Sequence, residues 1–179
     1  MKKKTLWVTE TAVMLALLIV LQWLTKPLGQ YVTGSCVNTV LAVTVLLCGI
    51  SSGVTVALIS PICAYLLGIA PQILTVPAIM AGNAVFVVLL KLIWGKAVWK
   101  QIAAWLSAAV AKFAILFTLV NYMICGVLAD GLMARGLLKT PMLTALPAAF
   151  GTAQLITALI GGGIALLAVP VVKRALHRD

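Results

Sequence analysis

Few residues in this chain have the chemistry for catalysis or ligation, and one of them is in an unusual place. Lys112 lies inside the apolar stretch SAAVAKFAILFTLVNY, which runs from Ser107 to Tyr122. The acidic residues are Glu10, Asp130 and Asp179, far apart along the chain, and His177 is the single histidine. Catalysis needs a nucleophile beside a base, or a metal. Ser107 and Lys112 fall on different faces of a helix, because helical neighbours are three or four residues apart. Gly95 and Lys96 do not make a P-loop: the earlier glycine and the following Ser or Thr of GxxxxGK[ST] are missing. Cys36, Cys48, Cys63 and Cys125 show no CxxC spacing, so buried free thiols are expected rather than a metal site. The residues therefore predict no catalytic set, no metal and no cofactor. Any ATP-driven step would belong to a partner.

The elements that position Lys112 follow from composition. Of 179 residues, 64% are hydrophobic and 9% charged, and the mean hydropathy is +1.20. Soluble domains carry about 25% charged residues. A chain of this size cannot hide so much apolar surface from water, so the bilayer must be its solvent. The formal net charge of +10 does not point to nucleic acid, because the basic residues lie at the ends and between apolar runs. The expected fold is an all-α integral membrane protein, a single membrane domain over 1–179 with six transmembrane helices. The spans are read at about 5–25, 36–50, 53–69, 74–94, 101–126 and 146–172. The second and third are short, split by the Gly/Ser turn CGISSG, and expected to be antiparallel neighbours. KPLGQYVTGS, GIAPQILTVP and ADGLMARGLLKTP mark other joints. The first span is read as a retained helix and not a leader, because Glu10 interrupts it and no A-x-A-like cleavage site follows.

Charge sets the expected orientation. With both termini cytoplasmic, the inside holds Lys2, Lys3, Lys4, Lys91, Lys96, Lys100, Lys173, Arg174 and Arg178. The outside holds Lys26, Arg135 and Lys139, a strong positive-inside bias. Trp7, Trp94, Trp99 and Trp105 then lie toward the inner interface, and Trp23 and Tyr31 toward the outer. No internal repeat is visible, which argues against an inverted-repeat transporter.

Depth can then be assigned at ~1.5 Å per residue. Asn83 and Gln154 fall ~10 Å below the outer surface, with Thr157 a turn lower; Thr118 is also ~10 Å deep, and Asn121 and Tyr122 ~5 Å. Lys112 is ~20 Å deep. Polar groups inside spans are costly, and an ionisable one is a functional candidate by default. The plainer alternatives are interhelical hydrogen bonds for Asn83 and Gln154, interface belts for Asn121 and Tyr122, and bonds to their own backbone for Thr118 and Thr157. Besides snorkelling at a lipid-facing position, Lys112 has two directions open to it. Upward, its ammonium meets the Asn83 and Gln154 layer and anchors an anionic ligand. Downward, it reaches toward Glu10 and makes a structural ion pair. On the first helix Ala12 and Ala16 share one face, a small-xxx-small spacing that admits another helix closely.

Six helices, an outward polar layer and the Ala12/Ala16 face resemble the substrate-binding S-component of energy-coupling factor (ECF) vitamin transporters. The resemblance covers nearly the whole chain. It is carried by Ala12 and Ala16, by GQYVTGSCVNTVLAVTVLLCGISSGVTVALISPICAYLLGIAP (Gly29 to Pro71), by VPAIMAGNAVFVVLLKLIWG (Val76 to Gly95) and by SAAVAKFAILF (Ser107 to Phe117). It implies a vitamin-like small molecule bound near the outer surface of a bacterial plasma membrane. It implies docking of Ala12 and Ala16 on a transmembrane coupling protein that carries two cytoplasmic ATPases. It implies gating by KPLGQYVTGS and GIAPQIL. The dense aromatic and acidic set of a thiamin binder is missing, and no biotin-subgroup pattern is clear. Lys112 among amides suits a small carboxylate or other anion. The site residues expected are Lys112, Asn83, Gln154, Asn121, Tyr122 and Thr118. A small membrane enzyme and an autonomous ion or solute transporter are the alternatives.

Overall fold

The computed structural model of the chain describes residues 2–69 and 72–175. Ala70 and Pro71 of the expected gating loop lie outside the described residues, as do His177, Arg178 and Asp179 of the tail and the side chains of Lys2 and Lys3.

The chain is all-α, with no strand among the described residues. The helices are α1 (Lys2–Thr25), α2 (Gln30–Cys48), α3 (Ile50–Leu66), α4 (Val76–Ile93), α5 (Val98–Leu116), α6 (Ala129–Ala134), α7 (Met142–Phe150) and α8 (Thr152–Ala175). An 11-residue π-helix, Phe117–Val127, continues α5. Five helical stretches are long and apolar enough to cross a bilayer: 4–28, 30–48, 73–93, 98–127 and 142–175. The 17-residue α3 is shorter, about 26 Å long, and near the lower limit for a full span. The chain is a multi-pass membrane protein.

Several boundaries differ from the sequence reading, each for a local reason. The α2–α3 turn is not the whole of CGISSG. Gly49 alone reverses the chain at φ 93°, a conformation that a Cβ would oppose. Ser51 and Ser52 are already helical, and they hold α1: Trp7 Nε1 donates to Ser51 Oγ at 3.0 Å, and Thr11 Oγ1 to Ser52 Oγ at 2.8 Å. The next helix begins at Gln30, well before the expected 36. Its polar first turns stay helical because Ser35 and Thr39 bond back to the carbonyls of Tyr31 and Ser35. The last span is broken at Gly151 into α7 and α8. A Cβ there would sit 2.7 Å from Pro147 O.

α2 runs through the middle and packs on α1, α3, α4 and α8. The main apolar core joins Leu41 and Val45 of α2, Phe86 and Leu90 of α4, Ala104 and Ala108 of α5, and Ala158 and Ala165 of α8. A smaller core lies under α7 and the π-helix, around Leu116, Val120, Leu146 and Phe150. The α2–α8 seam depends on close backbone approach, as in membrane interfaces built from small residues. A Cβ on Gly161 would lie 2.6 Å from both Asn38 Cβ and Ser35 O. Trp105 of α5 closes the other side of α8, its indole donating to Leu159 O at 3.0 Å.

Gly161→Ala should therefore force α2 and α8 apart. Overpacking of this kind costs about 1–3 kcal/mol, so the purified protein should melt earlier in detergent. Gly131→Ala is the control. Nothing lies near its Cβ position, and there the better helix propensity of alanine should hold or raise the melting temperature.

Candidate functional site

The buried line of α5 is Ala104, Ala108, Lys112 and Leu116, one residue per turn. Lys112 thus occupies a core position and is 2% exposed. Its Nζ donates to Asn38 Oδ1 at 2.6 Å and to Asn83 Oδ1 at 2.7 Å. The ammonium also stands 5.5 Å from the centroid of the Phe86 ring, within reach of a cation–π attraction. Short bonds of this length are typical when the donor is charged.

The direction of Lys112 is settled by these partners: it points into the amide layer. Glu10 lies beside Thr11, which is tied to the α2–α3 turn through Ser52. Asn38 is ten residues from the end of α2, about 15 Å farther along the bundle.

Three of the expected site residues come together. Lys112, Asn83 and Gln154 line one cavity of about 110 Å³, with walls from α1, α2, α3, α4, α5, α7 and α8. The polar framework around it is continuous. Asn38 Nδ2 donates to Gly34 O at 2.9 Å and to Thr157 Oγ1 at 3.4 Å. Thr157 Oγ1 donates to Gln154 O, and Gln154 Nε2 to Ala149 O. At the α1–α2 end, Lys26 Nζ donates to Gly68 O at 2.7 Å and joins the two connections there.

The other three do not line it. Thr118 and Tyr122 are exposed on the π-helix, and Asn121 is half-buried against α7 and α8 near Gly151. Azimuth separates them from the cavity. At about 100° per residue, Thr118 lies about 120° and Asn121 about 180° around the helix from Lys112. The π-helix then changes the register again, because its bonds run from i to i+5. Ala12 and Ala16 are both exposed on α1, facing away from the bundle.

Asn38, Ser60 and Gln22 are missing from the sequence reading. Asn38 carried a usable signal. With Leu41 and Val45 it makes an i, i+3, i+7 line, which puts a carboxamide on the core stripe of α2. Ser60 and Gln22 carried none, since a lone Ser or Gln in a span is commonly bonded to its own helix or to the interface. Here Ser60 Oγ and Gln22 Oε1 are buried without a partner, and both residues line the cavity.

The site is a cationic floor beneath partly unsatisfied polar walls. Burying an ion costs several kcal/mol even after relaxation. A hydrogen bond to a charged group returns about 1.5–3 kcal/mol. Two carboxamides can hold the ammonium in place, but they do not neutralise it. Among the described residues, no carboxylate lines the cavity.

Asn38→Leu or Asn83→Leu should each destabilise the fold by about 1.5–3 kcal/mol, the worth of one bond to a charged group. Glu10→Gln should cost less than either, because the hydrogen bonds of Lys112 Nζ go to two carboxamides. Thermal unfolding of the three variants in detergent reads the difference. A Glu10→Gln loss equal to the Asn83→Leu loss would show that Lys112 depends on Glu10. No family model, curated protein or solved structure matches the chain, so the chemistry of these residues is the ground for a functional reading.

Proposed function

We propose that the chain is the substrate-binding S-component of an ECF-type importer. In this reading it captures a vitamin-like small molecule from outside a bacterial plasma membrane. It delivers the molecule inward with a transmembrane coupling protein and two cytoplasmic ATPases, and does not itself hydrolyse ATP. The observation that carries the proposal is the buried Lys112 ammonium at the floor of a polar cavity enclosed by the helices of the bundle. A concave site with a mostly apolar lining and a few convergent polar groups is the usual form of a ligand site.

Two further observations support it. The face of α1 with Ala12 and Ala16 is left uncovered by the chain, together with the exposed Val13, Leu17 and Val20. Such a surface of small and apolar side chains suits close packing with a second membrane helix. The cavity also argues against an enzyme. Ser60 and Lys112 both line it, but Ser60 Oγ has no hydrogen-bond partner, and Lys112 Nζ is bonded to two carboxamides. A nucleophile needs its base within hydrogen-bond reach. Both termini are placed on the cytoplasmic side in this reading, by the excess of Lys and Arg at that end.

The test is reconstitution. The protein is placed in proteoliposomes with and without a coupling module and ATP, and uptake is followed for molecules that co-purify with it, identified by native mass spectrometry. Uptake should require the module. Ala12→Trp and Ala16→Trp should abolish it and leave ligand binding intact. Uptake by the chain alone would sink the proposal and favour an autonomous transporter. Conversion of the bound molecule by purified protein would favour an enzyme.

A further inference from the structure

The cavity constrains its ligand more closely than the general reading does. Lys112 is the one charged side chain that lines it among the described residues. Its ammonium has three N–H groups, and two are used by Asn38 and Asn83. These bonds also fix the carboxamides. An oxygen must face the ammonium, so the Asn83 Nδ2 is the other end of that carboxamide, with no hydrogen bond from it among the described residues. Two donors side by side, one of them cationic, match the two oxygens of a carboxylate. They are a poor match for a dianion, which would bring a second negative charge with no cation to meet it.

Two other groups of the lining ask for something else. Ser60 is 1% exposed, and its hydroxyl is unpartnered; Gln22 Oε1 is likewise buried without a donor. Buried polar atoms are nearly always bonded, and these two face the same space as Lys112. A hydroxyl and an amide oxygen satisfy an uncharged donor–acceptor group. They cannot offset a second ammonium, and no carboxylate in the cavity is present to do so. Val37, Ala64, Ile79 and Phe150 are among the apolar residues of the lining. Size sets the last limit. A cavity of about 150 Å³ holds benzene, so the part of a ligand seated in this cavity of about 110 Å³ is a small group.

We infer that the cavity binds a small monocarboxylate that carries an uncharged hydroxyl or amide group at its other end. The carboxylate sits on Lys112 and Asn83 Nδ2, and the second polar group meets Ser60 and Gln22. Amino-acid zwitterions and phosphorylated compounds are rejected. This inference rests on the cavity being the site for the transported solute, and it is read by binding alone. Coupling-dependent uptake of a neutral solute would overturn this inference and leave the transport proposal standing. Binding of the acid with uptake that ignores the coupling module would do the reverse.

The experiment uses the full chain in lipid nanodiscs and a matched set of probes: γ-hydroxybutyrate, its amide, butyrate and γ-aminobutyrate. Binding is followed by thermal shift and isothermal titration. γ-Hydroxybutyrate should bind best. Its amide should be weaker by roughly tenfold or more, the scale of one lost charge-assisted bond. Butyrate should be weaker by about fivefold, the scale of a neutral bond, and γ-aminobutyrate weaker than butyrate. Lys112→Met should erase the difference between the acid and its amide. If that variant does not fold, Ser60→Ala keeps the cation and should bind γ-hydroxybutyrate and butyrate alike. The inference is overturned if the amide stabilises the wild-type protein as much as the acid does, no shift from either included. It is also overturned if γ-aminobutyrate binds most tightly.

Discussion

The bundle is organised around an ammonium held between two carboxamides. Lys112 occupies a position on α5 that its neighbours in the buried line give to alanine and leucine. A cation can stay there only if oxygen atoms reach it from other helices, and Asn38 of α2 and Asn83 of α4 do so. Three helices are thereby fixed in rotation about their own axes, because a turn of any of them would strand the charge. The demand spreads outward. Asn38 must approach α8 closely enough to bond Thr157, and that approach is possible because Gly34 and Gly161 carry no side chains at the seam.

The inside and the outside of the bundle divide the work between them. Polar atoms converge inward from nearly every helix, while α1 turns its small residues outward. α1 is the least enclosed of the long helices. It is attached at one end through Trp7 and Thr11 to the start of α3, and at the other through the Thr33 hydroxyl to Thr25 O. A helix anchored at both ends with an uncovered middle presents a stiff face. In the bilayer such a face gains nothing from the hydrophobic effect by meeting another helix, so shape has to supply the attraction.

Much of this was legible in the sequence, and the losses have identifiable causes. Hydropathy located the long helices, and the reach of the Lys112 stem, pointing upward, brought its ammonium to the layer of Asn83 and Gln154. What failed was the second coordinate. A position along the membrane normal says nothing about which way a side chain faces, so Thr118, Asn121 and Tyr122 were grouped with Lys112 though they turn away from it. The π-helix could not be foreseen, because FTLVNYMICGV has neither a proline nor any periodicity that marks i to i+5 bonding. Asn38 was passed over for a different reason. The polar run from Gln30 to Ser35 reads as a loop until its hydroxyls are seen to bond back along the helix. Asn38 nevertheless supplies one of the two bonds that hold the ammonium.

The single glycine between α2 and α3 has a consequence for how the protein is made. Gly49 leaves no slack, so the two helices cannot enter the bilayer as independent segments with a loop between them. α3 is also shorter than the five stretches long enough to span, and it carries Ser51, Ser52, Thr55 and Ser60. Joined at Gly49, it enters as the returning arm of a hairpin packed along α2. The residue that sets the sharpest turn in the fold therefore also sets the unit of membrane insertion.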